Sequence, residues 1–242
     1  MRVHELLEGT TENIDVLKKM GFAVRSELPD HIPAGQTIRV KLDKSDTFYN
    51  TVKTYQSLHP ELYQKYKGAF AKLRTTSFVI INNKEYYDPY KGKNVTTGFG
   101  YYSSSDNTVV VFAYRLKDMQ DETGTVYVKN VFFSMLDSII QHEIRHLFQD
   151  AQYGEYSMSM KAQSRPYAAQ SIEIDATWHQ LVSSILPTPN DTAKSYTRRI
   201  TSELNKYKDL TDKEAEHYYR KTMRYFAEYA DHQWGIKQNV RK

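Results

Sequence analysis

Between Val131 and Tyr153 the sequence carries apolar residues at helical spacing, with two histidines and a glutamate set inside the stripe. Phe132, Met135, Leu136, Ile139, Ile140, Leu147 and Phe148 form one broad apolar face, the pattern of a strongly amphipathic helix. Within it, Gln141-His142-Glu143-Ile144-Arg145-His146 contains His-Glu-x-x-His. Residues four apart on a helix lie one above the other, so His142 and His146 can both aim imidazole nitrogens at one ion. Glu143 sits one step round, placed to reach a water beside the ion rather than the ion. Two imidazoles without partners are costly to bury in such a helix, which favours a metal site over a chance match. Arg145 faces away from both histidines and is expected to be a solvated charge. Asp150, four residues after His146, is expected to cap the helix end rather than brace the ring.

Composition narrows the chemistry. The 242 residues include no cysteine, so disulfides, thiolate nucleophiles and cysteine-type zinc sites are excluded. Any metal must rest on His, Asp or Glu. The length suits one domain or a compact pair of lobes. At 40% hydrophobic and 26% charged the chain is polar, yet 20 Tyr, 10 Phe and 2 Trp are too many aromatics for disorder. A net charge of +4 neither demands nor excludes a nucleic-acid partner. Met1 to Glu5 is charged with no apolar run behind it, so no secretory signal is expected. No stretch approaches the roughly 18 unbroken apolar residues of a membrane helix. A soluble protein of a reducing compartment is expected.

Along the chain, Thr11 to Met20 reads as a short helix with Gly21 as its stop. Thr37 to Leu42 alternates like a strand, and Asp46 to Ser57 and Pro60 to Arg74 read as helices. Ser77 to Ile81 is a β-branched and aromatic run. Gly98 to Tyr102 and Thr108 to Tyr114 flank a Ser-Ser-Asp-Asn turn as a hairpin, and Thr125 to Lys129 reads as a further short strand. Helices then follow at Val131 to Tyr153, Ser171 to Leu186, Asp191 to Lys208 and Thr211 to Trp234, the last opening on a Thr211–Glu214 capping box. The order is mixed α/β first, then all helix.

This arrangement resembles the zincin metallopeptidases, in which a helix and a small sheet precede the His-Glu-x-x-His helix and a later helix supplies the third ligand. The resemblance covers about Pro60 to Leu186. It implies an α+β, zincin-like fold: a small mixed or antiparallel sheet with an active-site helix, followed by a helical C-terminal lobe. The corresponding division is an N-terminal extension at 1–58, a catalytic core at 59–186 and a helical segment at 187–242 packing on the core. In such folds substrate pairs with a sheet edge, here Thr108–Tyr114 or its hairpin partner. The loop from Gln152 to Tyr167 would line the subsites.

A hydrolytic zinc site takes three protein ligands and leaves one position for water. The stretch from Gln149 to Glu155 has no histidine, so the short metzincin spacing is missing. Ser171-Ile172-Glu173-Ile174-Asp175-Ala176-Thr177 instead resembles the Glu-x-x-Ala-Asp/Asn pattern of gluzincins. Carried over, Glu173 is the third ligand and Ala176 lets two helices approach. Thr177 stands where the family has Asp or Asn, which weakens or moves the brace on a ligand histidine. Asp175 and His179 remain rival ligands. Asp175 points about 200° round the helix from Glu173, so both carboxylates cannot face one ion. His179, late in the helix, reads as a partly exposed histidine. Tyr167, then His217 and Tyr218, are candidate donors to an oxyanion, with no choice made among them.

The resemblance implies a Zn2+-dependent metallopeptidase that hydrolyses peptide bonds through a metal-activated water, with Glu143 as general base. The alternative is a structural or assembly protein of the same fold, in which zinc only stabilises. The opening residues, the tyrosine content and the cysteine-free chain are similar to proteins of tailed bacteriophages. That implies the host cytoplasm or the virion as location, with assembly partners if it is a virion protein. Otherwise the expected partner is a peptide or protein substrate in the cytoplasm, without membrane. Nucleic acid is not expected, because the DNA-associated SprT-like proteases typically use a histidine where Glu173 stands.

Overall fold

Strand-forming runs and helical stripes alternate in the first part of the chain, and the result is an α+β fold. The computed structural model describes residues 11–85, 87–88, 93–94, 98–128, 135–153, 171–207 and 210–235. The chain divides into two compact units, one of Leu17–Ser157 and one of Met1–Val16 with Met158–Lys242. Among the described residues no helix is long and apolar enough to cross a membrane.

The unit Leu17–Ser157 is built on a mixed sheet. Its strands are β1 (His31–Ile32), β2 (Gln36–Lys41), β3 (Ser77–Asn82), β4 (Tyr87–Asp88), β5 (Lys93–Asn94), β6 (Gly100–Ser103), β7 (Thr108–Phe112) and β8 (Val126–Tyr127). The main sheet runs β2-β3-β7-β6, with β3 and β7 parallel and the outer pairs antiparallel. Both central strands are buried on both faces, which is why Phe78-Val79-Ile80-Ile81 and Val109-Val110-Val111-Phe112 read as unbroken apolar runs rather than alternations. The predicted hairpin is present as β6–β7, and Asn107 in its turn takes φ 49°, a backbone that asparagine tolerates. Of the two strands expected to offer a pairing edge, β7 is interior and its hairpin partner β6 forms the edge.

Helices α2 (Asp46–Leu58) and α3 (Pro60–Thr75) start where capping chemistry places them. Ser45 accepts the Phe48 N–H at 3.1 Å, and Pro60 occupies the first turn of α3. Tyr66 and Phe70 of α3 pack their rings on Phe148 of α4 (Met135–Tyr153), at 5.7 and 5.6 Å between centroids. Helix α4 in turn lies on β6 and β7. A buried side chain closes the other end of the unit: Asn82 donates both amide protons, to the carbonyls of Ile32 and Gly124, each at 2.8 Å.

Helix α1 runs Thr11–Ser26 and does not stop at Gly21. A Cβ at Gly21 would lie 2.9 Å from Gln141 Cγ, so the bare backbone there lets α1 press against α4. Four residues on, Arg25 pairs with Asp137 at 2.9 Å. The glycine that reads as a helix stop is a packing site.

The second unit is helical. Its helices are α5 (Ser171–Ser184), α6 (Ala193–Tyr207) and α7 (Asp212–Trp234). Trp178, Tyr196, Tyr218, Tyr225 and Phe226 form its core with Ile14 and Ile200. The Thr211–Glu214 capping box is present, and Gly235 ends α7 at φ 64°, the left-handed turn that glycine adopts without strain.

Candidate metal centre

Helix α4 is enclosed almost all round. From Glu143 to Asp150 every residue is buried, including Arg145 at 3% exposure, which corrects the expectation of a solvated charge there. The sheet, α3 and α1 pack on α4, so the polar side of its stripe is covered as well as the apolar side.

The two histidines converge as their spacing requires. Nε2 of His142 and Nε2 of His146 stand 3.1 Å apart, with the rings edge to face at 78°. Two nitrogens bound at about 2.0–2.1 Å to one tetrahedral zinc are separated by about 3.3 Å, so the pair fits the ion. Nδ1 of His146 meets Oε1 of Gln149 at 2.9 Å.

Asp150 neither caps the helix nor braces His146. The helix continues to Tyr153, and Asp150 Oδ2 accepts from Lys72 on α3 and from the Tyr102 hydroxyl on β6 at 2.9 Å. Lys72 also lies over the Tyr102 ring, 5.6 Å from its centroid. Three elements are thereby joined one turn beyond His146.

Glu143 is 5% exposed and lies against the edge strand. Gly100 of β6 stands opposite Val111 of β7, and this face of the sheet receives α4. A Cβ at Gly100 would lie 3.3 Å from Glu143 Oε1, 3.1 Å from Ile139 Cγ2 and 2.7 Å from the Val110 carbonyl oxygen. The missing side chain is what allows the carboxylate to approach the strand backbone.

Glu173, in the first turn of α5, is 5% exposed. His142, His146 and Glu173 each offer one ligand atom, and the three atoms all lie within 4.8 Å of one another. Two imidazoles and a carboxylate form a donor set that could hold a metal ion, and their chemistry suits zinc.

Asp175 has a different role, pairing with Lys221 of α7 at 2.8 Å. His179 is 2% exposed rather than partly solvated, with Nε2 3.7 Å from Asp175 Oδ1. Ala176 and Thr177 are buried. Tyr218 belongs to the aromatic core beside Trp178, and His217 packs edge-on against it. Tyr167, and the rest of the loop expected to line the subsites up to it from residue 154, lie outside the described residues. Sequence reasoning missed Gln149 and Gly100. The available signals were a carboxamide three residues after the second histidine of the motif, and a glycine opening a strand next to the motif helix.

No protein-family model matches this chain, and neither the curated proteins nor the solved structures contain a significant match to it.

Proposed function

We propose that the chain is a zinc-dependent metallopeptidase whose ion is held by His142, His146 and Glu173. The observation that carries this is the convergence of their three ligand atoms within 4.8 Å. Three protein ligands leave a fourth position for water or substrate, the mark of a hydrolytic rather than a closed structural site. Zinc held there would lower the pKa of a bound water toward about 7 and polarise a carbonyl.

The remaining work falls to the chain's own residues. Glu143 accepts the proton of the attacking water at its carboxylate and returns it to the leaving amine. Its burial against the strand at Gly100 keeps that carboxylate in one place. The edge strand β6 offers its outer backbone to an extended peptide, which would lie beside Glu143 through main-chain hydrogen bonds.

The test is metal analysis followed by a proteolysis assay on an unstructured protein substrate. Purified protein is expected to hold about one zinc per chain. Glu143→Gln is expected to retain that zinc and lose hydrolysis. A wild-type chain that binds no zinc overturns the site. Zinc binding without hydrolysis by wild type overturns the peptidase and leaves a stabilising ion.

A further inference from the structure

We infer that Gln149 is a positioning residue that holds His146 as its Nδ1–H tautomer and so turns the Nε2 lone pair toward the ion. This rests on the metal-site reading above. Gln149 is fully buried, and its side-chain oxygen lies 2.9 Å from His146 Nδ1. An amide oxygen only accepts, so the imidazole nitrogen is the donor. In a neutral imidazole the second nitrogen then carries the lone pair. That second nitrogen, Nε2, is the one that stands 3.1 Å from Nε2 of His142.

The placement is set by the helix. Residues three apart share a face of α4, so Gln149 reaches the ring of His146 without leaving its own turn. The following residue, Asp150, is held by Lys72 and Tyr102, which fixes that turn against α3 and β6. A partner on the far nitrogen of a ligand histidine fixes ring orientation and raises ligand basicity, and its loss typically weakens metal binding by about 10–100-fold. Asp or Asn from another element commonly takes this part. Here a glutamine on the same helix takes it for His146.

Two measurements test the assignment, and one needs no metal. Long-range proton–nitrogen NMR on the metal-free protein, with histidine labelled at nitrogen, reads the tautomer directly. His146 is expected as Nδ1–H; Nε2–H in wild type overturns the inference. Zinc affinity by chelator competition is the second readout. Gln149→Leu is expected to bind zinc about 10–100-fold more weakly. Gln149→Glu keeps an acceptor at the same place and is expected to restore affinity to near wild type. Wild-type affinity in a folded Gln149→Leu protein overturns the inference. If Gln149→Leu fails to fold, the wild-type tautomer decides. If wild type binds no zinc, the metal reading fails, and the tautomer still decides the role of Gln149.

Discussion

Lys221 Nζ and Asp175 Oδ1 meet at 2.8 Å with their side chains 3% and 0% exposed. The ammonium also sits 4.0 Å from the centroid of the Trp178 ring. The contact ties α7 to α5, two residues along from Glu173, and it engages the carboxylate that rivals Glu173 in the sequence. Removing one member of a buried ion pair costs about 3–5 kcal/mol, because the other charge stays in a low-dielectric site. Lys221→Met is therefore expected to lower the urea midpoint by a stability loss in that range at unchanged slope. Replacing Asp175 by Leu in the same chain should recover most of it. A Lys221→Met protein as stable as wild type would mean that the pair adds nothing.

Gly100→Ala places a methyl group 2.7 Å from the Val110 carbonyl oxygen, a backbone atom that cannot swing aside. The edge strand must shift outward or Ile139 and Glu143 must repack. A loss of about 1–3 kcal/mol is expected, as for other overpacked sites. Thermal unfolding checks it, and an unchanged Tm would contradict the close approach of β6 to α4.

Tyr102→Phe deletes one bond to the Asp150 carboxylate and leaves the Lys72 contact in place. Hydrogen bonds to charged groups contribute about 1.5–3 kcal/mol. The loss should concentrate at the strand edge, so amide exchange is expected to quicken in β6 before it does in β7. Equal protection of β6 in both proteins would count against the link.

Burial raises the phenol pKa values of Tyr196 and Tyr225 well above the ordinary value. Tyr196 donates to the Ile185 carbonyl at 2.8 Å, and neighbouring Tyr229 and Asp15 add to the rise at Tyr225. A raised folded-state pKa gives stability that is complete below the unfolded value of about 10 and is lost as pH climbs from there through the folded values. Alkaline titration is expected to show some tyrosines ionising only together with loss of helical circular dichroism. Ionisation of all 20 tyrosines in a chain that stays folded would disprove it.

Much of this was legible in the residues because the signal was local. The stripe around Ile139 and Ile140 marked α4, the turn at residues 104–107 marked the hairpin, and Thr211 with Glu214 marked the start of α7. Glu173 follows from the likeness of residues 171–177 to the gluzincin pattern, and it lies with the two histidines. What escaped depends on neighbours distant in sequence. A glycine that ends a helix and a glycine that admits a second helix look alike, and Gly21 is the second kind because Gln141 happens to face it. Arg145 and His179 read as solvated because charge and polarity are properties of the residue, whereas burial is a property of what packs over it. Asp150 reads as the cap of the helix, and only the rotation of the last turn shows that Gln149 meets the His146 ring while Asp150 meets Lys72 and Tyr102.

Asn82 has a consequence for the order of events as the chain folds. Its two carbonyl partners lie 50 residues before it and 42 residues after it. Neither bond can form until three separate stretches have met, and each closure carries the entropy of a long loop. Contacts that form only after the rate-limiting step leave the folding rate almost unchanged when weakened and speed unfolding instead, and that is the behaviour expected of Asn82→Ala in folding and unfolding kinetics. One carboxamide at the end of β3 thereby joins three stretches that the order of the chain keeps far apart.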